Sequence, residues 1–240
     1  MKDLLFEWNL FLDESKGSKL ERVTTFISRE IVRALKDEEV RAAFAKTESV
    51  SFLLVEDAPE VEWLRDIVVK LTSNEDYVYT HASYEYTLGA TDEERKDSDM
   101  IINIVLPKNY DNSIFSELIP DLKDSIRHEL EHSVQPTEML SGNEEIKSSE
   151  AIWQSLDIAR AYYTSESETN AHVAGLYKKA KVLKEPFEDV VNHAMYEIWQ
   201  TGIYYGFADD DVDKLVMDIR DIWLRYGAER YPRAQFSGEA

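Results

Sequence analysis

The chain has 240 residues, 43% of them hydrophobic, which is enough for one sizeable core or two small ones. Its 48 acidic residues against 27 basic ones give a formal net charge of −21, which disfavours attraction to nucleic-acid phosphates and predicts no nucleic-acid partner. It contains no cysteine, so disulfides and thiolate metal ligands are excluded and His, Asp and Glu are left to hold any ion.

From the N-terminus, Leu4, Phe6, Trp8, Leu10 and Leu12 alternate with other residues and predict a strand or a short arm packed on the body. Acids inside this run and the lack of a small-residue cleavage site exclude a signal peptide. Ser18 is a good N-cap, and Leu20, Val23, Phe26, Ile27, Ile31, Ala34 and Leu35 recur at helical spacing, predicting a helix to about Ala45. Residues 50–55 are apolar and partly β-branched and predict a buried strand. Pro59 opens a predicted helix over 59–72, carrying Trp63, Leu64, Ile67, Val68 and Leu71. The aromatic and β-branched runs 77–80 and 84–88 predict one bent strand or two short ones, and 91–98 a loop. Residues 99–106, before Pro107, make the clearest strand in the chain.

A helix over 120–135 comes next, with Pro120 at its first position and Pro136 ending it, followed by helices over 149–163, 165–183, 186–205 and 209–226. Strands thus cluster in the first half and helices in the second, an α+β order. Only 8 Gly and 6 Pro are present and no linker-like stretch interrupts them, so the expectation is one domain over 1–240, with helices and sheet in 1–110 and a helical half in 111–240. No run approaches the roughly 20 apolar residues of a membrane span. The expectation is a soluble cytoplasmic protein with no membrane partner.

Inside the helix over 120–135 lies His128-Glu129-Leu130-Glu131-His132, the H-E-x-x-H pattern. At 100° per residue, histidines at i and i+4 project side by side and can offer two imidazole nitrogens to one ion. Glu129 sits beside them, where a carboxylate can act as general base toward metal-activated water. On a helical wheel Leu122, Ile126, Leu130, Ser133 and Val134 form one apolar arc, with the two histidines nearly opposite. Asp121, Asp124 and Ser125 share the histidine side, and one of them could orient an imidazole.

Catalytic zinc takes three protein ligands plus water, so a third is needed. The metzincin continuation is absent, because Gln135 stands in place of its glycine and Glu138 in place of its third histidine. Glu168-Thr169-Asn170-Ala171, downstream on another predicted helix, resembles the E-x-x-A element of the gluzincin metallopeptidases, in which glutamate is the third ligand. The two blocks, about 50 residues together, are also similar to phage-encoded and bacterial proteins described as metallopeptidases. The N-E-x-x-S-D form of the thermolysin-like branch is missing, since Ser167 precedes Glu168. The resemblance implies a zincin-like fold, a Zn2+ ion on His128, His132 and Glu168, and hydrolysis of peptide bonds in a peptide or protein substrate, with Glu129 as base. Glu168 has a second reading as the closing residue of a Ser165-Glu166-Ser167-Glu168 capping box, and Glu166, Glu138 and His172 remain as other third ligands.

His172 lies one turn past Glu168, where it could stabilise an oxyanion or orient a ligand, or simply pack as a half-buried polar residue. Tyr162, Tyr163 and Tyr177 are further candidate oxyanion donors, and His81 and His193 read as core or surface residues. By the same resemblance, strand 99–106 is a candidate edge for an extended substrate. Acids at 121, 124, 129, 131, 138 and 166 suggest basic substrate side chains. Two competing readings stand beside the peptidase. One is a zincin-like metal-binding structural or interaction protein, virion- or complex-associated and without peptidase activity. The other is a helical binding module in which the motif is accidental.

Overall fold

The computed structural model describes residues 2–54, 64–85, 91, 98–140, 148–232 and 234, with the backbone alone for 2–18 and 65. The protein is α+β and mostly helical; among the described residues there is one small sheet, whose strands all precede the H-E-x-x-H helix. It divides into two compact units, Met1–Thr87 with Glu93–Ser133, and Leu88–Asp92 with Val134–Ala240.

The first unit opens on helix α1 (Lys2–Lys36). Leu20, Val23, Ile27, Ile31 and Leu35, three to four residues apart, are all buried, so one face of the helix enters the core. The expected strand or arm at the N-terminus is instead the beginning of this helix. Leu4, Leu5, Trp8, Phe11 and Leu12 fit the 3.6-residue period as well as Leu4 to Leu12 fit the period of two, and the helix that follows extends backward through them. The expected helix to Ala45 breaks at Asp37, whose Oδ1 accepts the backbone N–H groups of Glu39 (2.9 Å) and Val40 (3.3 Å) and starts α2 (Glu38–Lys46).

Four strands follow: β1 (Ser49–Leu53), β2 (Leu64–Ser73), β3 (Tyr79–Glu85) and β4 (Ser98–Leu106), in the order β1-β2-β4-β3. β2 and β4 are parallel, and β1 and β3 pair antiparallel on the two outsides. The helix expected over 59–72 is therefore a strand from Leu64 onward, and its opening residues lie outside the described ones. Ile67, Val69 and Leu71 alternate into the core, and adjacent Ile67, Val68 and Val69 are stiff β-branched residues that suit a pleat. Of the two runs expected around 77–88, Tyr79–Glu85 forms one strand, and 86–88 lie outside the described residues.

β4 buries Met100, Ile102, Ile104 and Leu106 on one face, in register with Val69 on one neighbour and Ala82 on the other at Ile102. A 3-10 turn (Asn112–Ile114) capped by the Asp111 carboxylate leads into α3 (Phe115–Val134). Because that turn starts the coil, α3 begins five residues before Pro120, which sits inside the helix and leaves the Ser116 carbonyl without its intrahelical N–H. Leu118, Leu122, Ile126 and Leu130 of α3 are fully buried in the same core as the sheet and α1. Each such aliphatic contributes on the order of 2 kcal/mol by leaving water. Val134, expected on the apolar arc, is 44% exposed because it is the helix's last residue.

The second unit contains α4 (Thr137–Leu140), α5 (Ser149–Ile152), α6 (Leu156–Thr164), α7 (Glu166–Leu183), α8 (Phe187–Tyr204) and α9 (Asp209–Arg230). The helix expected over 149–163 is two, because Ser155 Oγ accepts the Ile158 N–H and begins a new one. Ser165 likewise caps α7, which ends at Lys184 in the left-handed region (φ 60°). Trp153, Val173, Leu176, Phe187, Val190, Leu215, Ile219 and Trp223 form this unit's own core. Among the described residues, no helix is long and apolar enough to cross a membrane.

Candidate metal centre

The spacing of His128 and His132 does in α3 what helical geometry requires. Their Nε2 atoms lie 3.1 Å apart, with the rings edge to face at 77°. Two zinc–nitrogen bonds of 2.0–2.1 Å at a tetrahedral angle need nitrogens about 3.3 Å apart, so the pair fits one ion without rearrangement. His132 is buried and His128 nearly so. With Glu168 they form a group whose donor atoms all lie within 4.8 Å of one another. Two imidazoles and a carboxylate suit a divalent transition-metal ion, and His128, His132 and Glu168 could hold one. The group includes none of Glu138, Glu166 and His172, the other third ligands considered.

Glu168 is the third residue of α7 and is 6% exposed. The Ser165 Oγ accepts its backbone N–H at 3.3 Å, which is the first half of a capping box. The reciprocal half is preempted: the Ser165 N–H donates to the Tyr162 carbonyl at 3.2 Å. The two readings of Glu168 therefore use different groups of the residue: the hydroxyl of Ser165 closes the helix through the Glu168 backbone N–H, and the carboxylate is one of three donors that could hold an ion.

Glu129 is held by one of its two oxygens. Its Oε2 accepts the Tyr84 N–H of β3 at 2.9 Å, and its Oε1 lies 3.8 Å from His128 Nε2. One oxygen is thereby fixed while the other faces the imidazole pair. Nothing in the sequence announces a main-chain donor to this carboxylate, because the interaction depends on strand placement and not on a side chain. Ser125, one turn earlier, contacts Thr80 of the same strand with its hydroxyl (Oγ···Oγ1 3.4 Å).

Around Glu168, His172 Nε2 lies 3.8 Å from its Oε2, and the ring stacks on Trp223 with centroids 4.6 Å apart. The Tyr163 ring lies 5.7 Å from that of His172. Burial first, and then the Glu168 charge, push the Tyr163 phenol up to about 12, against a hydrogen bond from Trp153 that acts the other way. The Tyr163 phenol thus senses the Glu168 charge. Tyr177 stacks on Tyr231 at 4.0 Å, and Tyr162 packs edge to face with Tyr163.

The remaining histidines are elsewhere. His81 is on β3 and stacks on Tyr79, and His193 is exposed on α8 beside Glu197. Glu131, counted among the acids that suggest basic substrates, instead turns inward. It pairs with Arg127, and the two are 4% and 1% exposed. Comparison with family models, with curated proteins and with solved structures finds no match to this chain.

Proposed function

We propose that the chain is a zinc-dependent metallopeptidase of zincin-like, gluzincin type, acting on a peptide or protein substrate. The observation that carries this reading is the meeting of His128, His132 and Glu168 with Glu129 alongside. A zinc ion held by those three side chains would supply an acidified water and a Lewis acid for the scissile carbonyl. Glu129 takes the proton of the attacking water on Oε1, the oxygen on the histidine side, and returns it to the leaving amine nitrogen. The Tyr84 N–H keeps the other oxygen in place, so the base does not have to be recruited from solvent. His172 orients the Glu168 carboxylate from the next turn of α7.

A substrate edge at 99–106 does not fit. β4 is hydrogen-bonded on both sides, to β2 and to β3, and has no main-chain groups to offer. β3 is the outer strand on that side, and its Tyr84 N–H already reaches Glu129 of the motif helix. An extended peptide pairing with β3 lies next to the general base.

The test is zinc stoichiometry together with cleavage of a peptide library by the wild type and by Glu129→Gln. One zinc per chain in both, with cleavage only by the wild type, is the expected result. Zinc in both proteins with no cleavage by either would favour a metal-holding structural protein. A wild type that takes up no zinc after reconstitution would make the motif an accident of composition.

A further inference from the structure

Gln135 follows His132 by three residues, just beyond the end of α3, and is 5% exposed. Its side-chain amide Nε2 donates to the main-chain carbonyl of Ser167 at 3.0 Å in a buried bond. Ser167 is 1% exposed and immediately precedes Glu168. A carbonyl in the first turn of a helix accepts the N–H four residues on with one lone pair and keeps the second for another donor. Gln135 is such a donor, and the carbonyl partner fixes which end of its amide is the NH2. The Ser167–Glu168 peptide is then held at its carbonyl by Gln135 and at its N–H by the Ser165 hydroxyl. A peptide plane tied at both polar groups cannot rotate, and the Glu168 side chain hangs from it.

We infer that Gln135 is a positioning residue of the metal centre, fixing the Ser167–Glu168 peptide so that the Glu168 carboxylate meets His128 and His132. The inference rests on the metal-site reading above. The same side chain that breaks the metzincin glycine pattern thus has a role of its own. A leucine at this position fills similar volume without the donor, and an asparagine keeps the amide but withdraws it by one methylene. A partner that orients a ligand without touching the metal typically changes metal affinity by about 10- to 100-fold.

The experiment measures zinc affinity of the full chain by competition with a chromophoric chelator, for the wild type, Gln135→Leu, Gln135→Asn and Glu168→Ala, and for each Gln135 variant combined with Glu168→Ala. The metal-free proteins are compared by circular dichroism. Gln135→Leu and Gln135→Asn are expected to bind zinc about 10- to 100-fold more weakly than the wild type, and to have less than about a twofold effect once Glu168 is alanine. A Gln135 that only supports the fold would weaken both backgrounds equally, and that outcome overturns the inference. So does wild-type affinity in both variants. If Gln135→Leu does not fold, Gln135→Asn reads the same coupling. A wild type without zinc would bring down the metal site itself, which is distinguishable from zinc bound equally by wild type and variants.

Discussion

Tyr163 shows how one buried group ties the site to the stability of its surroundings. Its phenol ionises at about 12 in the fold, against 10.0 for an exposed tyrosine, because burial and the Glu168 charge oppose the phenolate. Between those values the unfolded chain releases the proton and the folded chain keeps it, so stability falls as pH rises from 10 to 12 and is complete below 10. The loss from this group amounts to roughly 3 kcal/mol. Denaturant titrations at pH 9 and pH 11.5 are expected to show Tyr163→Phe losing less stability than the wild type over this range. Equal losses would mean that the phenol ionises normally. At this scale the sequence revealed what depends on spacing within one helix, namely His128, Glu129 and His132. It did not reveal the Arg127–Glu131 pair, because two charges four apart on a helix usually lie in solvent, and only packing of α3 turns this pair inward.

Helices α8 and α9 owe their close approach to Gly227. A β-carbon there would lie 2.4 Å from Cε1 of Phe187, a ring that is itself 1% exposed. Gly227→Ala gains helix propensity of about 1 kcal/mol but forces Phe187 or the helix to move, at a cost of about 1–3 kcal/mol. Net destabilisation is expected, with Phe187→Leu relieving part of it in the double variant; a more stable Gly227→Ala would show that the ring yields freely. Gain and loss compete in the same way at β2, where apolar spacing at Leu64, Ile67, Val68 and Leu71 fits a helix. Two flanking strands satisfy the backbone of those residues, and the sheet wins. At α1 the balance went the other way, because no partner strand competes for residues 2–18 among the described elements. Element identity in short apolar runs is set by which hydrogen-bonding partners arrive, and these are distant in sequence.

Across the molecule, a net charge of −21 on 240 residues opposes compaction through self-repulsion. Added sodium chloride screens that repulsion, since the Debye length shrinks to about 8–10 Å near physiological ionic strength. Tm is therefore expected to rise between 10 mM and 300 mM salt, and a flat or falling Tm would show that local ion pairs outweigh the global field. Each unit carries its own buried core, so differential scanning calorimetry at both salt concentrations also reads whether the two melt together. What the sequence determined by itself is the α+β order, the apolar face of α3 and the pairing of the two histidines, the last two being consequences of periodicity along a single element. Glu168 is singled out by the resemblance, and the tertiary structure groups its carboxylate, and not that of Glu138 or Glu166, with the two histidines; tertiary structure alone decided that β3 rather than β4 is the outer strand beside Glu129, and that Gln135 donates to the carbonyl before Glu168. Those facts depend on groups tens of residues apart, and no local period encodes which of several equivalent carboxylates or strand edges folding will bring together.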